Sequence, residues 1–271
     1  MLRTPGLFQF IRSLWRIVSR KPQVPPSLQG NALLNVIMRR RSVRSYRSDD
    51  IPEDVFSAIL EAGRVAPSTV NLQSWSFATF TAASWRETFD HPIPFKALRA
   101  VIIMGDTHRD RLALGAEAIA HSPMVEYTIA VMNASLATMA MNIAAEALGV
   151  SSVMLSETGQ SGLLDAEYLA DRLHLPPGVF PLMTIVFGYA AAAYPPMPPR
   201  LPMETVCFDG ATGYREPAPG VLEDWLAQMI AGYKASHLTS SFQAQLHLYQ
   251  SKIGKAEADL NEAIHRIHTR E

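Results

Sequence analysis

The stretch "MRRRSVRSYRSDD", Met38–Asp50, sets five arginines between Arg39 and Arg47, directly after an apolar helical run. It is also where the charge of the chain turns over. The first 48 residues hold ten Lys or Arg and no Asp or Glu, while the remainder holds 14 basic residues against 25 acidic ones. The formal charge therefore splits into +10 and −11 within a chain whose net charge is −1. Such a basic segment asks for an anionic partner. Arginine rather than lysine suits a phosphate, because the planar guanidinium offers paired donors in a fixed fork.

Around that stretch the pattern alternates. Ser27 is placed to cap a helix running to about Arg40, with Leu33, Leu34, Ile37 and Met38 inward. In "DDIPEDVFSAILEAGRVAP" the acidic residues and Pro52 mark a helix start, Val55, Ile59 and Leu60 supply its apolar stripe, and Pro67 closes it. Residues 74–80, 99–105, 150–155 and 181–188 read as strands. Residues 124–149 form a helix apolar nearly all round, stopped by Gly149, and suited to the centre of the fold or to a subunit interface. Residues 7–20 form a basic amphipathic helix with Leu7, Phe8, Ile11, Leu14, Trp15 and Val18 on one side, followed by a Pro-rich linker. Residues 220–235 and 238–269 are polar helices. The second carries a narrow stripe of Leu246, Tyr249, Ile253, Leu260, Ile264 and Ile267, of the width that suits packing on another subunit. Helices alternating with strands put the chain in the α+β or α/β class.

Several chemistries lack their residues. The one cysteine, Cys207, excludes an internal disulfide framework and a Cys-based zinc site. There is no GxGxxG after a strand, no GxxxxGKS/T, no HExxH and no GxSxG elbow. His265 and His268 read as a solvated helix face, so no metal site and no catalytic acid or base is assigned. Near-neutral charge and the missing aromatic–basic pattern argue against nucleic acid. No run of about 18 uninterrupted apolar residues occurs, so no helix is expected to span a bilayer.

Two segments separated by one helix carry a resemblance: "RRSVRSY" (40–46) and "APSTVNLQSW" (66–75). Together they resemble the FMN-dependent nitroreductase family, with its Arg-Ser cluster, one helix, and a Pro-Ser segment leading to Asn-x-Gln-x-Trp. Later segments agree in order: the apolar helix ending in "ALG" (147–149), "HLPPGVFPLMTIVFGYA" (174–190) and "PPRLPMETV" (198–206). The match covers roughly residues 28–210. It departs from the family pattern at Ser74, where a proline usually precedes the tryptophan, and at Pro198, where some members carry lysine; only Lys96 offers a cation for the flavin pyrimidine.

That resemblance implies an α+β, three-layer fold, its mostly antiparallel sheet flanked by helices, with helical extensions at both ends. It divides the chain into 1–26 (basic helix and linker), 27–215 (FMN-binding domain) and 216–271 (C-terminal extension). FMN is the implied cofactor and NAD(P)H the electron donor. By position, Arg40, Arg41 and Ser42 would hold the phosphate and ribityl end, Arg44 would face the N1–O2 edge of the ring, and Arg200 would return to the phosphate. Pro67, Ser68, Asn71 and Gln73 would come from the partner of a homodimer. Ser156, Glu157 and Gly159 fall where the family places a backbone amide near flavin N5. Trp75 reads as core, and Arg39 and Arg47 as solvated helix-end charges. The expected reaction is NAD(P)H-dependent reduction of a small nitro- or quinone-type acceptor in the cytoplasm, by a ping-pong cycle in which the flavin carries the chemistry. The rival readings are a specialised dehydrogenase or dehalogenase, and a flavin-binding protein docked to a partner or membrane through residues 7–20.

Overall fold

In the computed structural model, residues 6–118, 121–155, 166–237 and 239–265 are described. The chain divides into two compact units: Pro25–Pro195 with Lys252–Glu271, and Met1–Val24 with Pro196–Ser251.

The larger unit is built on four antiparallel strands, β1 (Trp75–Thr81), β2 (Arg99–Asp106), β3 (Ser151–Leu155) and β4 (Val179–Gly188), in the order β1-β2-β4-β3. Their period-two alternation feeds two cores. Val101, Ile103, Ile185 and Phe187 face one, while Ala100, Ile102, Met104 and Val186 face the other. The first core is closed by α3 (Glu53–Arg64) and α6 (Pro123–Ala147); the second takes Trp85 and Phe89 of α4 (Ala82–Phe89) and Leu169 of α7 (Ala166–Leu173). Helices on both faces of one sheet make the expected three layers.

Each helix has a local reason. α3 starts with Glu53 and Asp54 and ends with Arg64, complementing its dipole, and buries Phe56, Ile59 and Gly63 at helical spacing. Gly63 lets α3 lie close to α6, since a Cβ there would press into the Met141 side chain. α2 (Ala32–Arg39) is capped by Asn31, whose side chain accepts from the Leu34 amide; Ser27 instead sits in a 3₁₀ turn, Pro26–Leu28. The expected cap was thus four residues early, because Gly30 and Asn31 reset the chain after the turn. α4 begins at a Thr81–Ser84 capping box and was not expected from the sequence. α5 (His108–Leu114) and α7 were not anticipated either.

By length and apolarity alone α6 would reach across a bilayer, but its buried residues pack it on the sheet and α3. It ends in a Schellman motif: Val150 N–H bonds the Ala145 carbonyl and Gly149 N–H that of Glu146, with Gly149 at φ 76°. One stripe of α6 stays outside the core. Val125, Met132, Leu136 and Met139 are exposed, with Ile129 and Ile143 half-buried in the same row, at alternating spacings of four and three.

The smaller unit pairs α1 (Leu7–Ser19) with α9 (Val221–Ser236), and also holds the short α8 (Met203–Val206). Here the packed face of α1 differs from the expected one. Ser13 and Ile17 are buried, with Ile17 against Gly232, whereas Leu7, Phe8, Ile11, Trp15 and Val18 are exposed. α10 runs Phe242–His265, later in starting than expected, and the division between units falls within it. Of its stripe, Tyr249 and Ile253 are exposed and Ile264 is buried; Ile267 lies outside the described residues.

Phe187 tests the packing, being fully buried with its ring edge-to-face on Phe56 at 5.9 Å. Phe187→Ala should cost about 3–5 kcal/mol in urea unfolding. Thr79→Ala, at an exposed position of β1, should stay within about 0.5 kcal/mol.

Candidate functional site

The arginine segment is fixed to the outer edge of the sheet by its own backbone. α2 ends at Arg39; Arg40 follows in extended geometry with its N–H on the Val36 carbonyl. Ser42 bridges Ser152 of β3, Val43 N–H bonds the Ser152 carbonyl at 3.2 Å, and Tyr46 bridges Ala190 just after β4. Tyr46 seals this dock. Its hydroxyl donates to the Val43 carbonyl at 2.7 Å, burial pushes its phenol pKa up, and its ring lies so close over Gly188 that a Cβ there would be 2.7 Å from Cδ1.

Beneath the dock lies a buried polar network. Asn142 of α6 donates to Ser152 Oγ at 2.7 Å. Glu146, 3% exposed, accepts from Arg39 Nε at 3.1 Å and from the Tyr194 hydroxyl at 3.1 Å, while Arg39 Nη2 reaches the Glu146 carbonyl. Arg39 is exposed at the end of α2, as expected, but it also pairs with Glu146, because a buried carboxylate needs a partner. Burial first, and the neighbouring Glu146 carboxylate, push the Tyr194 phenol up and keep it a donor, while its bond with Ser151 opposes them. Asn142 and Glu146 were missed in the sequence. Their signal was present, as isolated polar residues inside the apolar run 124–149.

The four candidate groups of the dock differ in availability. The Arg40 guanidinium has no hydrogen-bond partner among the described residues. Arg41 is folded back onto the end of α2, donating to the Met38 and Arg40 carbonyls at 2.9 and 2.7 Å. Ser42 is half-buried where its backbone bridges Ser152 at the edge of β3. Arg44 donates weakly to the Ser42 carbonyl at 3.4 Å and lies 5.9 Å from the centre of the Phe95 ring, next to Lys96. Arg47 is exposed, pairing with Asp49 and resting over Tyr189.

The second motif occupies a strained turn ahead of β1. Val70, Asn71 and Gln73 have φ of 51°, 59° and 56°. Asparagine tolerates that region, but a β-branched valine there is an outlier of the kind found at functional loops. The turn is held from behind. Ser68 Oγ accepts from the Gln73 amide, Asn133 of α6 accepts from both Thr69 N–H and its hydroxyl, and Arg109 donates to the Gln73 carbonyl. Its tip faces out, with Val70 86% exposed and Pro67 and Asn71 exposed beside it. Ser74, where the family pattern has proline, is buried and donates to Asp110 at 2.6 Å. Trp75 is buried, as expected.

These two motifs do not meet within one chain. β1 and β3 are the opposite edges of the sheet, about 14 Å apart at ~4.8 Å per strand. They also enter at opposite ends: Trp75 lies across from Gly105 and thence Phe180, whereas Ser152 lies across from Phe187, a further ~23 Å along β4. Arg200 belongs to the smaller unit, where its carbonyl accepts from Arg20. Ser156, Glu157 and Gly159 lie outside the described residues.

The dock offers chemistry suited to a phosphate with a polar tail: an unengaged guanidinium, a hydroxyl, and a second arginine over an aromatic ring. Asn142 Oδ1 adds to it as a buried acceptor without a partner among the described residues, on the amide that holds Ser152. Such an orphan is expected to find a donor.

Asp110 gives a pH-dependent check. Burial raises its carboxyl pKa, against the Ser74 hydrogen bond that lowers it. A raised native pKa means that ionising it disfavours the folded state, so its contribution is full at acid pH and lost as pH rises above the ordinary carboxylate range of about 4. Asp110→Asn should therefore gain in melting temperature relative to the parent between acid and neutral pH; a constant difference across that range would contradict this.

The sequence pattern of the Nitroreductase family matches residues 37–189. A Bacillus subtilis protein named FMN reductase, NAD(P)H, is 27% identical over 188 residues, covering 65% of this chain and 72% of the relative. Among solved structures, B. megaterium NfrA2 superposes with a TM-score of 0.71 at 18% identity, over 86% of this chain and 97% of its own. The NADPH:FMN oxidoreductase from Vibrio harveyi, complexed with NAD+, gives 0.64 at 19%, over 82% and 92%. At those identities the two structures speak for the fold.

Proposed function

The chain belongs to the nitroreductase family, and we propose that it is a homodimeric FMN-dependent oxidoreductase that takes reducing equivalents from NAD(P)H and delivers two electrons to a small nitro- or quinone-type acceptor. The observation that carries the two-chain site is the placement of its halves at diagonally opposite corners of one sheet. A flavin seated on Arg40–Arg44 of one protomer is then completed by the outward turn Pro67–Gln73 of its partner. The exposed row Val125, Met132, Leu136 and Met139 on α6 supports this, because a stripe alternating by four and three residues is a seam for a second helix.

Bound FMN would supply the redox chemistry, accepting hydride from NAD(P)H and passing two electrons to the acceptor after the nucleotide leaves. The chain's own residues bind and orient. Arg40 gives the phosphate a guanidinium with no competing partner, and Ser42 adds a hydroxyl to the phosphate and ribityl end. Arg44 stands by the pyrimidine edge, where its fixed charge favours the anionic reduced ring. Arg41, already spent on two carbonyls, steadies the turn after α2. The left-handed turn at Val70 and Asn71 leaves Asn71 exposed, with the half-buried Gln73 beside it. Orientation and charge are what the flavin needs, so no side-chain acid or base is invoked. A cytoplasmic location fits the supply of NAD(P)H.

The test is the visible absorbance spectrum of the purified protein before and after anaerobic NADH or NADPH. A flavin spectrum that bleaches is expected; a colourless protein that cannot be reconstituted with FMN would overturn the reading. Arg40→Ala should weaken FMN binding roughly 10- to 100-fold through loss of a charge-assisted donor, and unchanged affinity would place the phosphate elsewhere. Arg44→Ala should keep the flavin but make it harder to reduce, and an unaltered potential would refute the assigned role.

A further inference from the structure

In the smaller unit α1 has three faces instead of two. One packs on α9 through Ser13 and Ile17. A second is basic, with Arg12, Arg16 and Arg20. The third is a ridge of Leu7, Phe8, Ile11, Trp15 and Val18, 58% to 84% exposed, running the whole length of the helix. Five large apolar side chains on one helix, two of them aromatic, exceed what scattered surface exposure explains.

The charges beside the ridge are of one sign. Neither α1 nor the residues just after it carry an acid. Arg16 is engaged with Asp224 of α9 at 2.6 Å, and Arg20 donates to Gln228 and to the Arg200 carbonyl. Arg12 and Lys21 are exposed and form no ion pair among the described residues. Beside the C-terminal end of α1 a cleft of about 640 Å³ is lined by Arg16, Arg20, Lys21 and Arg200, with Asp224 as its carboxylate. Burial there lowers the pKa of Arg20, and neighbouring Arg16 and Arg200 lower it further against the opposing pull of Asp224. The cleft thus concentrates positive charge that one carboxylate does not balance.

We propose that α1 is a peripheral membrane anchor: the ridge enters the boundary between headgroups and acyl chains of an anionic phospholipid surface, and Arg12, Lys21 and the basic cleft meet the headgroup phosphates. A basic helix with Trp and Phe on its apolar face has the composition of such interfacial helices. Charge selects lipid over a second copy of the chain. Two copies meeting ridge to ridge would bring their unpaired cations together, whereas the uncharged row on α6 already offers a seam for self-association.

The experiment is co-sedimentation of the full chain with vesicles, independent of the flavin. Vesicles containing phosphatidylglycerol should pellet the protein at low salt, and pure phosphatidylcholine vesicles should not. Ile11→Asp with Trp15→Asp should abolish pelleting, and Arg12→Gln with Lys21→Gln should weaken it roughly tenfold or more. Circular dichroism and sedimentation velocity of each variant report fold and assembly. Failure of the parent to pellet overturns the proposal, as does equal pelleting of the ridge variant. If the parent stays unbound and the ridge variant alone falls from dimer to monomer, the ridge is an interface between copies, which also overturns it.

Discussion

One helix sets the geometry of the candidate site. α6 lies across the sheet, and three of its buried polar residues each hold a different piece of backbone or side chain around the two motifs. Asn133 holds the turn at Thr69, Asn142 holds Ser152 and through it the docked arginine segment, and Glu146 holds Arg39. Nine residues separate Asn133 from Asn142, so the two anchors stand about 14 Å apart along the axis at 1.5 Å per residue. The chain is thereby built with its two motifs kept apart, and the same helix turns its exposed apolar row outward. Separation of the half-sites and the surface that would reunite them across a dimer share one structural origin.

Burial explains why those anchors are polar. A docked segment such as Ser42–Tyr46 brings peptide groups to a sheet edge, and each must find a partner or be penalised. Asn142 and Tyr46 supply contacts that regular pairing cannot, and Glu146 draws in Arg39 and Tyr194 because a buried carboxylate is tolerated only when paired. The guanidinium closest to that network is consumed by it. Arg40, one residue on, is left available, so five neighbouring arginines divide into structural ones, Arg39 and Arg41, and ones facing solvent or ligand.

The strands were legible in the sequence, since Val, Ile and Phe runs bounded by Gly and Pro leave little choice; the expected 99–105 and 181–188 became Arg99–Asp106 and Val179–Gly188. α4, α5 and α7 were not read, being seven or eight residues long and too short for a periodicity to stand out. The motifs at 40–46 and 66–75 were also legible, but their separation within one chain was not. It follows from strand order, which depends on long-range pairing that no local pattern encodes. For α1 the composition showed an amphipathic helix and suggested the wrong packed face, because Ser13 and the small residues of α9 allow close helix approach where larger apolar residues remain outside.

The most direct test of the two-chain site is complementation. One variant, Arg40→Ala, removes the proposed phosphate donor; the other, Asn71→Gly with Gln73→Gly, removes the turn's side chains while keeping its left-handed backbone free of strain. Each alone should lose flavin and NAD(P)H-dependent reduction. Co-expressed, random pairing puts one intact site in each mixed dimer, so roughly a quarter of the parental flavin content should return. No recovery, or full flavin retention in the turn variant alone, would contradict a site shared between two chains.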